Sequence, residues 1–284
     1  MITVTGATGM LGRLVINALL QELPASEIVA AVRNPDKAKD IAALGVQVRQ
    51  ADYNKPVTLK KAFNDIDKLL LISSSEVGQR ARQHRAVIAA AQDADVGFLA
   101  YTSMLHADTS TLALSTEHEE TETALRNSGV PFVLLRNGWY TENYTAGIPA
   151  VLEHGTLLGC AGDGRISSAE RADYAAAAAA VLLLDDQAGR VYELAGDDGY
   201  TMTELADEIT KQSGKTVVYK NMPEAEYREI LTSSGLPQGL AALLADSDTG
   251  VSKGGLFDDS RQLSKLIGRP TTPLKESVAA ALKA

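Results

Sequence analysis

The run Thr5-Gly6-Ala7-Thr8-Gly9-Met10-Leu11-Gly12 sets three glycines at a three-residue spacing near the start of the chain. Between a strand and a helix, such a run can cradle a pyrophosphate. Gly6 permits a tight turn, Gly9 a close approach of backbone to phosphate, and Gly12 close packing of helix on strand. The phosphates would face unpaired N–H groups at the positive end of the helix, including those of Met10 and Leu11. The spacing is G-x-x-G-x-x-G rather than G-x-G-x-x-G. Arg33 stands 21 positions after Gly12, where an acid for a ribose 2′-hydroxyl is expected in an NAD site. A guanidinium cannot accept from a hydroxyl but pairs with a 2′-phosphate, and Lys37 adds charge nearby. NADP is therefore favoured over NAD, against the plainer reading of Arg33 as a solvated residue at a strand end.

Asp52 follows the third strand, where a carboxylate could accept from an adenine amino group or cap a loop. Ser73-Ser74-Ser75 follows the fourth strand, and strand C-terminal ends line the ligand crevice of open sheets. These serines could bond ribose hydroxyls or form a turn. Trp139 and Tyr140 could stack on a flat ring or wedge between two lobes. His106 and His118 could donate a proton or sit as ordinary surface or helix residues. His84, His106, His118 and His154 show no metal-ligand spacing, and no metal is expected. The carboxylates of Glu117–Glu122 read as a solvated helix face. No Tyr-x-x-x-Lys pair occurs, since Leu105 lies four residues after Tyr101 and Tyr144 four after Tyr140. Alcohol oxidation and sugar epimerisation need that proton transfer and are disfavoured. Hydride delivery to an acceptor whose product is a modest base needs it less.

These residues require a framework of alternating strands and helices. Apolar runs at 2–5, 28–32, 46–48, 68–72, 98–102, 132–136 and 191–194 read as strands. Helical spacing fills 12–21, 36–44, 56–63, 79–95, 117–128 and 171–184 between them. Asn34 or Asp36 caps the second of these helices. Continuous apolar strands alternating with helices predict a Rossmann-type, doubly wound parallel sheet covered on both faces. From about Gly196 the pattern becomes mainly helical (201–213, 224–234, 240–244, 258–267, 273–283), with one clear strand at 217–220. The expected division is a nucleotide-binding domain of residues 1–137 and about 161–195, with a smaller lobe of about 138–160 and 196–284. The alanine run at 175–180 reads as a helix face small enough for close packing on the sheet.

Several longer segments narrow the reading. They are Leu71-Ile-Ser-Ser-Ser-Glu-Val-Gly-Gln-Arg80, Tyr101-Thr-Ser-Met-Leu-His-Ala-Asp-Thr-Ser110, Leu135-Arg-Asn-Gly-Trp-Tyr-Thr-Glu-Asn-Tyr144 and Ser252-Lys-Gly-Gly-Leu-Phe-Asp-Asp-Ser260. With Thr5–Gly12 and Arg33, the chain resembles the NmrA-like atypical short-chain dehydrogenase/reductases. Within that group it is most similar to the bacterial type 2 NAD(P)H:quinone oxidoreductases, across nearly its whole length. The triphenylmethane dye reductases are more distant and lack the Ser-Ser-Ser-Glu-Val-Gly run. Met10 departs from the Gln expected in close relatives, but only its backbone N–H matters for phosphate contact. The resemblance implies a Rossmann domain binding NADPH, a small lobe over the nicotinamide and hydride transfer to simple quinones. It implies cofactor contacts from Gly6 to Leu11, Arg33, Ser73 to Ser75 and Asn137 to Glu142, with Ala169 to Tyr174 nearby. Thr102, Asn137, Gly138, Tyr140, Arg171 and Tyr174 join the cofactor residues on this basis. Trp139, Tyr140 and Asn143 join the substrate side, and Tyr140, His118 and His106 are the candidate catalytic side chains.

The chain has 284 residues, 45% of them hydrophobic and 22% charged, which is the composition of a soluble globular protein. Its net charge of -9 opposes non-specific binding to nucleic acid or to an anionic membrane. The single cysteine, Cys160, excludes an intramolecular disulfide and reads as a small buried hydrophobe. With no signal-type start and no apolar stretch of about 20 residues, a cytoplasmic enzyme is expected. Two other readings share the cofactor residues: a redox sensor that binds NADP(H) without turnover, and a reductase of another planar electrophile such as a dye.

Overall fold

The computed structural model describes residues 1–283. Its elements run β1 (Ile2–Thr5), α1 (Met10–Leu19), β2 (Ile28–Val32), α2 (Lys39–Ala43), β3 (Gln47–Gln50), α3 (Pro56–Ala62), β4 (Lys68–Leu71), α4 (Arg80–Asp93), β5 (Phe98–Met104), α5 (Ser115–Ser128) and β6 (Phe132–Asn137). They continue with α6 (Glu142–Thr145), α7 (Ile148–His154), β7 (Thr156–Gly159), α8 (Arg171–Leu183), β8 (Val191–Leu194), α9 (Met202–Ser213), β9 (Val218–Asn221), α10 (Glu224–Ser233), α11 (Gln238–Ser252), α12 (Gln262–Ile267) and α13 (Leu274–Ala281).

Seven strands form one sheet in the order β3-β2-β1-β4-β5-β6-β8. β1 to β6 pair in parallel, as in Ile2 with Ile28 and Lys68 with Phe98. β1 and β2 are buried along their whole length, which is why both read as unbroken apolar runs. On one face Leu59, Phe63, Leu69, Leu71, Val87, Leu99 and Leu134 form a continuous core. α1 buries Leu11, Val15, Ile16 and Leu19 and packs on α8, whose inner face is Ala175, Ala177, Ala178, Val181 and Leu182. Methyl-sized side chains let these two helices approach closely, in keeping with the alanine run.

The chain divides into two compact units. The first comprises residues 1–107, 116–137 and 171–192 and carries the sheet. The second comprises residues 108–115, 138–170 and 193–284. In the second, β7 and β9 form a parallel pair. Asp248 of α11 accepts the Cys160 N–H at 2.9 Å. A Cβ on Gly159 would lie 2.6 Å from Asp248 Oδ2. Cys160 is buried and its thiol donates to the Ala245 carbonyl at 3.3 Å.

Four local readings change. The helix expected at 36–44 is a 3-10 turn (Pro35–Ala38) followed by α2, with Asn34 Oδ1 accepting the Asp36 N–H as the cap. The helix expected at 240–244 extends over the 15 residues of α11. Its weak helix formers are held by packing: Gly250 lies where a Cβ would stand 2.0 Å from Leu112 Cδ2. β7 is an added strand, whose four residues carry no alternation and whose partner β9 is distant in sequence. The acidic face of α5 is only partly solvated, because Glu122 is buried and pairs with the buried Arg136 at 2.7 Å.

Candidate cofactor site

The glycine turn lies at the C-terminal end of β1, beside that of β4, where the strand order reverses. Open α/β sheets bind ligands at this switch point. Gly6 has φ +58°, a left-handed conformation that favours glycine, and its carbonyl accepts the Gly9 N–H at 2.9 Å. A Cβ on Gly12 would stand 2.5 Å from the Gly6 oxygen and 2.7 Å from the Ala7 Cα, both backbone atoms. α1 starts with Gly9 as its cap, no capping side chain and no acid in its first turn. The leading N–H groups and the positive helix end are thus left for an external anion.

Arg13 braces this turn from behind. Its Nε donates to the Thr8 carbonyl at 3.2 Å and its Nη2 to the Lys37 carbonyl at 3.1 Å, while Nη1 pairs with Asp40. The only sequence signal for this role is a cation one residue past the third glycine. The β1 and β4 ends are tied together by Thr5, whose Oγ1 donates to the Leu70 carbonyl and accepts the Ile72 N–H, both at 3.0 Å. The Tyr53 hydroxyl lies 2.6 Å from Thr5 Oγ1 and 3.0 Å from the Ile72 carbonyl. Burial pushes the Tyr53 phenol well up, so it stays a neutral donor.

The Ser73–Ser75 turn rests on a buried polar chain. Thr102 Oγ1 accepts the Ser73 N–H at 2.9 Å and His84 Nε2 accepts the Ser74 N–H at 2.9 Å. Arg80 Nε donates to the Ser74 carbonyl at 2.7 Å. Thr102, His84 and Arg80 are all buried.

Arg33 follows β2 with its side chain 70% exposed, and its Nη1 donates to Glu76 Oε1 at 2.8 Å. Asp52 accepts the Asn54 N–H at 3.0 Å and pairs with Lys55 at 3.8 Å, so in this structure it caps its own turn. Asn137 closes β6; it is buried, and its Oδ1 has no hydrogen-bond partner among the described residues. A buried acceptor without a donor costs about 1–3 kcal/mol, so this atom is suited to a ligand N–H or O–H. An anion cradle at α1, a cation at the β2 end and an unsatisfied acceptor at the β6 end fit the parts of a phosphorylated dinucleotide.

Residues 6–183 match the family model described as NAD(P)H-binding. The chain belongs to that family. This NAD(P)H-binding protein is 62% identical to Quinone oxidoreductase 2 of Escherichia coli (strain K12), over 98% of each chain. It superposes with TM-score 0.98 on the crystal structure of NADPH-dependent quinone oxidoreductase QOR2 complexed with NADPH from Escherichia coli, at 62% identity over 99% of this chain and 100% of that one. It superposes with TM-score 0.96 on the Citrobacter sp. triphenylmethane reductase complexed with NADP(H), at 40% identity over 99% of this chain and 100% of that one.

The remaining candidates of this NAD(P)H-binding protein fall in different surroundings. His118 is buried, with Nδ1 2.8 Å from the Tyr101 hydroxyl. Burial and then the Arg80 charge hold its pKa well below the usual histidine range. His106 follows β5 with φ +53°. On α8, Tyr174 is buried and Arg171 half-buried. In the second unit, Ala169 clamps the 139–141 backbone: its N–H donates to the Trp139 carbonyl at 3.2 Å and its carbonyl accepts the Thr141 N–H at 2.9 Å. Trp139 and Tyr140 are half-buried there, Asn143 is exposed, and the Gly138 N–H donates to the Leu194 carbonyl at 2.7 Å. No group of three potential metal ligands occurs among the described residues, and no helix among them is long and apolar enough to cross a membrane.

Proposed function

We infer that this protein is an NADPH-dependent quinone reductase that converts a small quinone to its hydroquinone. The observation that carries the reading is the likeness over 98% of the chain to Quinone oxidoreductase 2, together with a superposition of TM-score 0.98 on its NADPH complex. When bound, the reduced nicotinamide supplies the hydride. The chain's own work is to bind, orient and exclude water.

In this reading the first-turn N–H groups of α1 hold the pyrophosphate and Arg33 takes the 2′-phosphate. Asp52 borders the adenine end. Ser73, Ser74 and Ser75 serve the ribose, with Thr102 bracing their turn. Asn137 Oδ1 accepts from the nicotinamide end. Gly138, Tyr140, Arg171 and Tyr174 complete the cofactor residues, and Trp139, Tyr140 and Asn143 contact the quinone. His118 stays neutral and committed to Tyr101, so the one proton that joins the hydride to complete the hydroquinone comes from solvent. NADPH is a reductant of the cytoplasm, and the reaction belongs to that compartment.

The test follows NADPH absorbance with a simple benzoquinone, repeated with NADH. Quinone-dependent oxidation, faster with NADPH, is the expected result. Tight NADPH binding without turnover would instead favour a redox sensor. The 40% identity to a triphenylmethane reductase favours one further reading, a dye reductase, and a higher kcat/KM on a cationic triphenylmethane dye than on quinones would select it.

A further inference from the structure

Glu76 lies on the turn between β4 and α4, and its two carboxylate oxygens meet different partners. Oε1 accepts from Arg33 Nη1 at 2.8 Å. Oε2 accepts from Gln83 Nε2 at 2.7 Å, and Gln83 is only 2% exposed. The Glu76 N–H donates to Ser74 Oγ at 3.1 Å. The carboxylate is therefore anchored from inside the fold, whereas Arg33, with its side chain 70% exposed, is the adaptable member of the pair. A guanidinium has five N–H donors in two edges, so Arg33 can keep Glu76 on Nη1 and offer its remaining donors to a phosphate.

A fixed carboxylate beside the 2′-phosphate partner has two effects of the same sense. It repels a phosphate dianion. It also supplies the acceptor that a 2′-hydroxyl needs, which in NAD-binding sheets comes from an acid near the β2 end. We propose that Glu76 is a specificity-determining residue that limits the preference for NADPH and keeps NADH usable. Arg33 sets the direction of the preference and Glu76 sets its ceiling. The proposal rests on the NADPH reading above.

The test is Glu76→Gln in the full chain. The new amide can be met by a flip of the Gln83 amide, whose Oε1 is buried without a partner. Dissociation constants are measured by calorimetry for NADPH and NADH, and for 2′,5′-ADP and 5′-AMP, which bind without turnover. The expected result is a rise in the NADPH-over-NADH affinity ratio of about three- to tenfold, the effect of one exposed charge within a Debye length of a phosphate. The 2′,5′-ADP-over-5′-AMP ratio rises in parallel. Glu76→Ala gives the same direction if the Gln variant fails to fold. An unchanged ratio would overturn the proposal, and a lowered one would show instead that Glu76 presents Arg33 to the phosphate. Wild-type protein that binds neither nucleotide would remove the NADPH reading itself, an outcome visible before any variant is made.

Discussion

His84 Nε2 accepts the Ser74 N–H at 2.9 Å, and its Nδ1 lies 2.9 Å from Thr121 Oγ1. Thr121 Oγ1 donates its own proton to the Glu117 carbonyl at 2.8 Å. The directions are thereby fixed: Nε2 is unprotonated, Nδ1–H donates to Thr121, and the ring is neutral. Burial, with the Arg80 charge second, takes its pKa down to about 3. The turn proposed to serve the ribose is held by a histidine that does not titrate near neutrality.

His84→Ala should raise KM for NADPH by about three- to tenfold, the loss of roughly one hydrogen bond's ordering of Ser74, with a smaller effect on kcat. The pH response of stability should change too. The unfolded ring binds its proton near pH 6.5 and the folded ring near 3. The stabilisation is therefore complete above pH 6.5 and declines as pH falls towards 3, by up to about 1.4 kcal/mol per pH unit. Urea titrations across that range should show this slope in the wild type and lose it in the variant.

Gly12→Ala should abolish NADPH binding. Its Cβ would stand 2.5 Å from the Gly6 oxygen, and backbone must shift to relieve it. The overpacking should also cost about 1–3 kcal/mol of stability. Calorimetric titration and thermal melts check the two effects separately.

Arg33→Ala should raise the Kd for NADPH by about ten- to a hundredfold, the range of roughly 1.5–3 kcal/mol for hydrogen bonds to charged groups. NADH should bind within about twofold of wild type, because it lacks the 2′-phosphate that Arg33 is proposed to meet. Equal losses for both cofactors would remove Arg33 as the selector.

Asp248→Asn should stabilise the protein at pH 7. Burial raises the Asp248 carboxyl to about 6, opposed only in part by the Cys160 N–H. An acid with a raised folded pKa holds its proton longer than the unfolded chain does, so stability falls as pH rises from about 4 to about 6 and then levels. The deficit above pH 6 is about 3 kcal/mol. Melting temperatures of the two proteins should converge at the acid end of this range. Above pH 6 the variant should melt higher than the wild type.

The inner strands of the sheet were legible because β1 and β2 are buried along their whole length; they and the more exposed β8 match the expected spans, and the glycine turn sits between β1 and α1 as its spacing required. The expected cofactor residues of the first unit lie at the C-terminal strand ends, Gly6, Arg33 and Ser73 just past β1, β2 and β4, and Thr102 and Asn137 in the last residues of β5 and β6. What sequence left dark was mutual. Arg13 bracing Thr8, His84 holding Ser74 and Glu76 engaging Arg33 join residues 5 to 43 positions apart, and none belongs to a local periodicity. Asn34 and Asp36 are equal as caps in sequence; the fold decides for Asn34, whose side chain accepts the Asp36 N–H. In the second unit, α11 runs through Ser247, Thr249 and Gly250 because packing against Leu112 overrides weak propensity.

The methyl-lined contact of α1 with α8 gives the phosphate cradle an unusual place in the order of events on heating. Loops that grip ligands are commonly among the first segments to open. Here the amides proposed to face the pyrophosphate are the first turn of a helix wedged between an alanine face and the central strand β1. That helix cannot lift without breaching the core, so the hydrogen-bonded amides of its later turns should exchange with solvent only when the whole unit unfolds, and the empty protein keeps its grip already shaped.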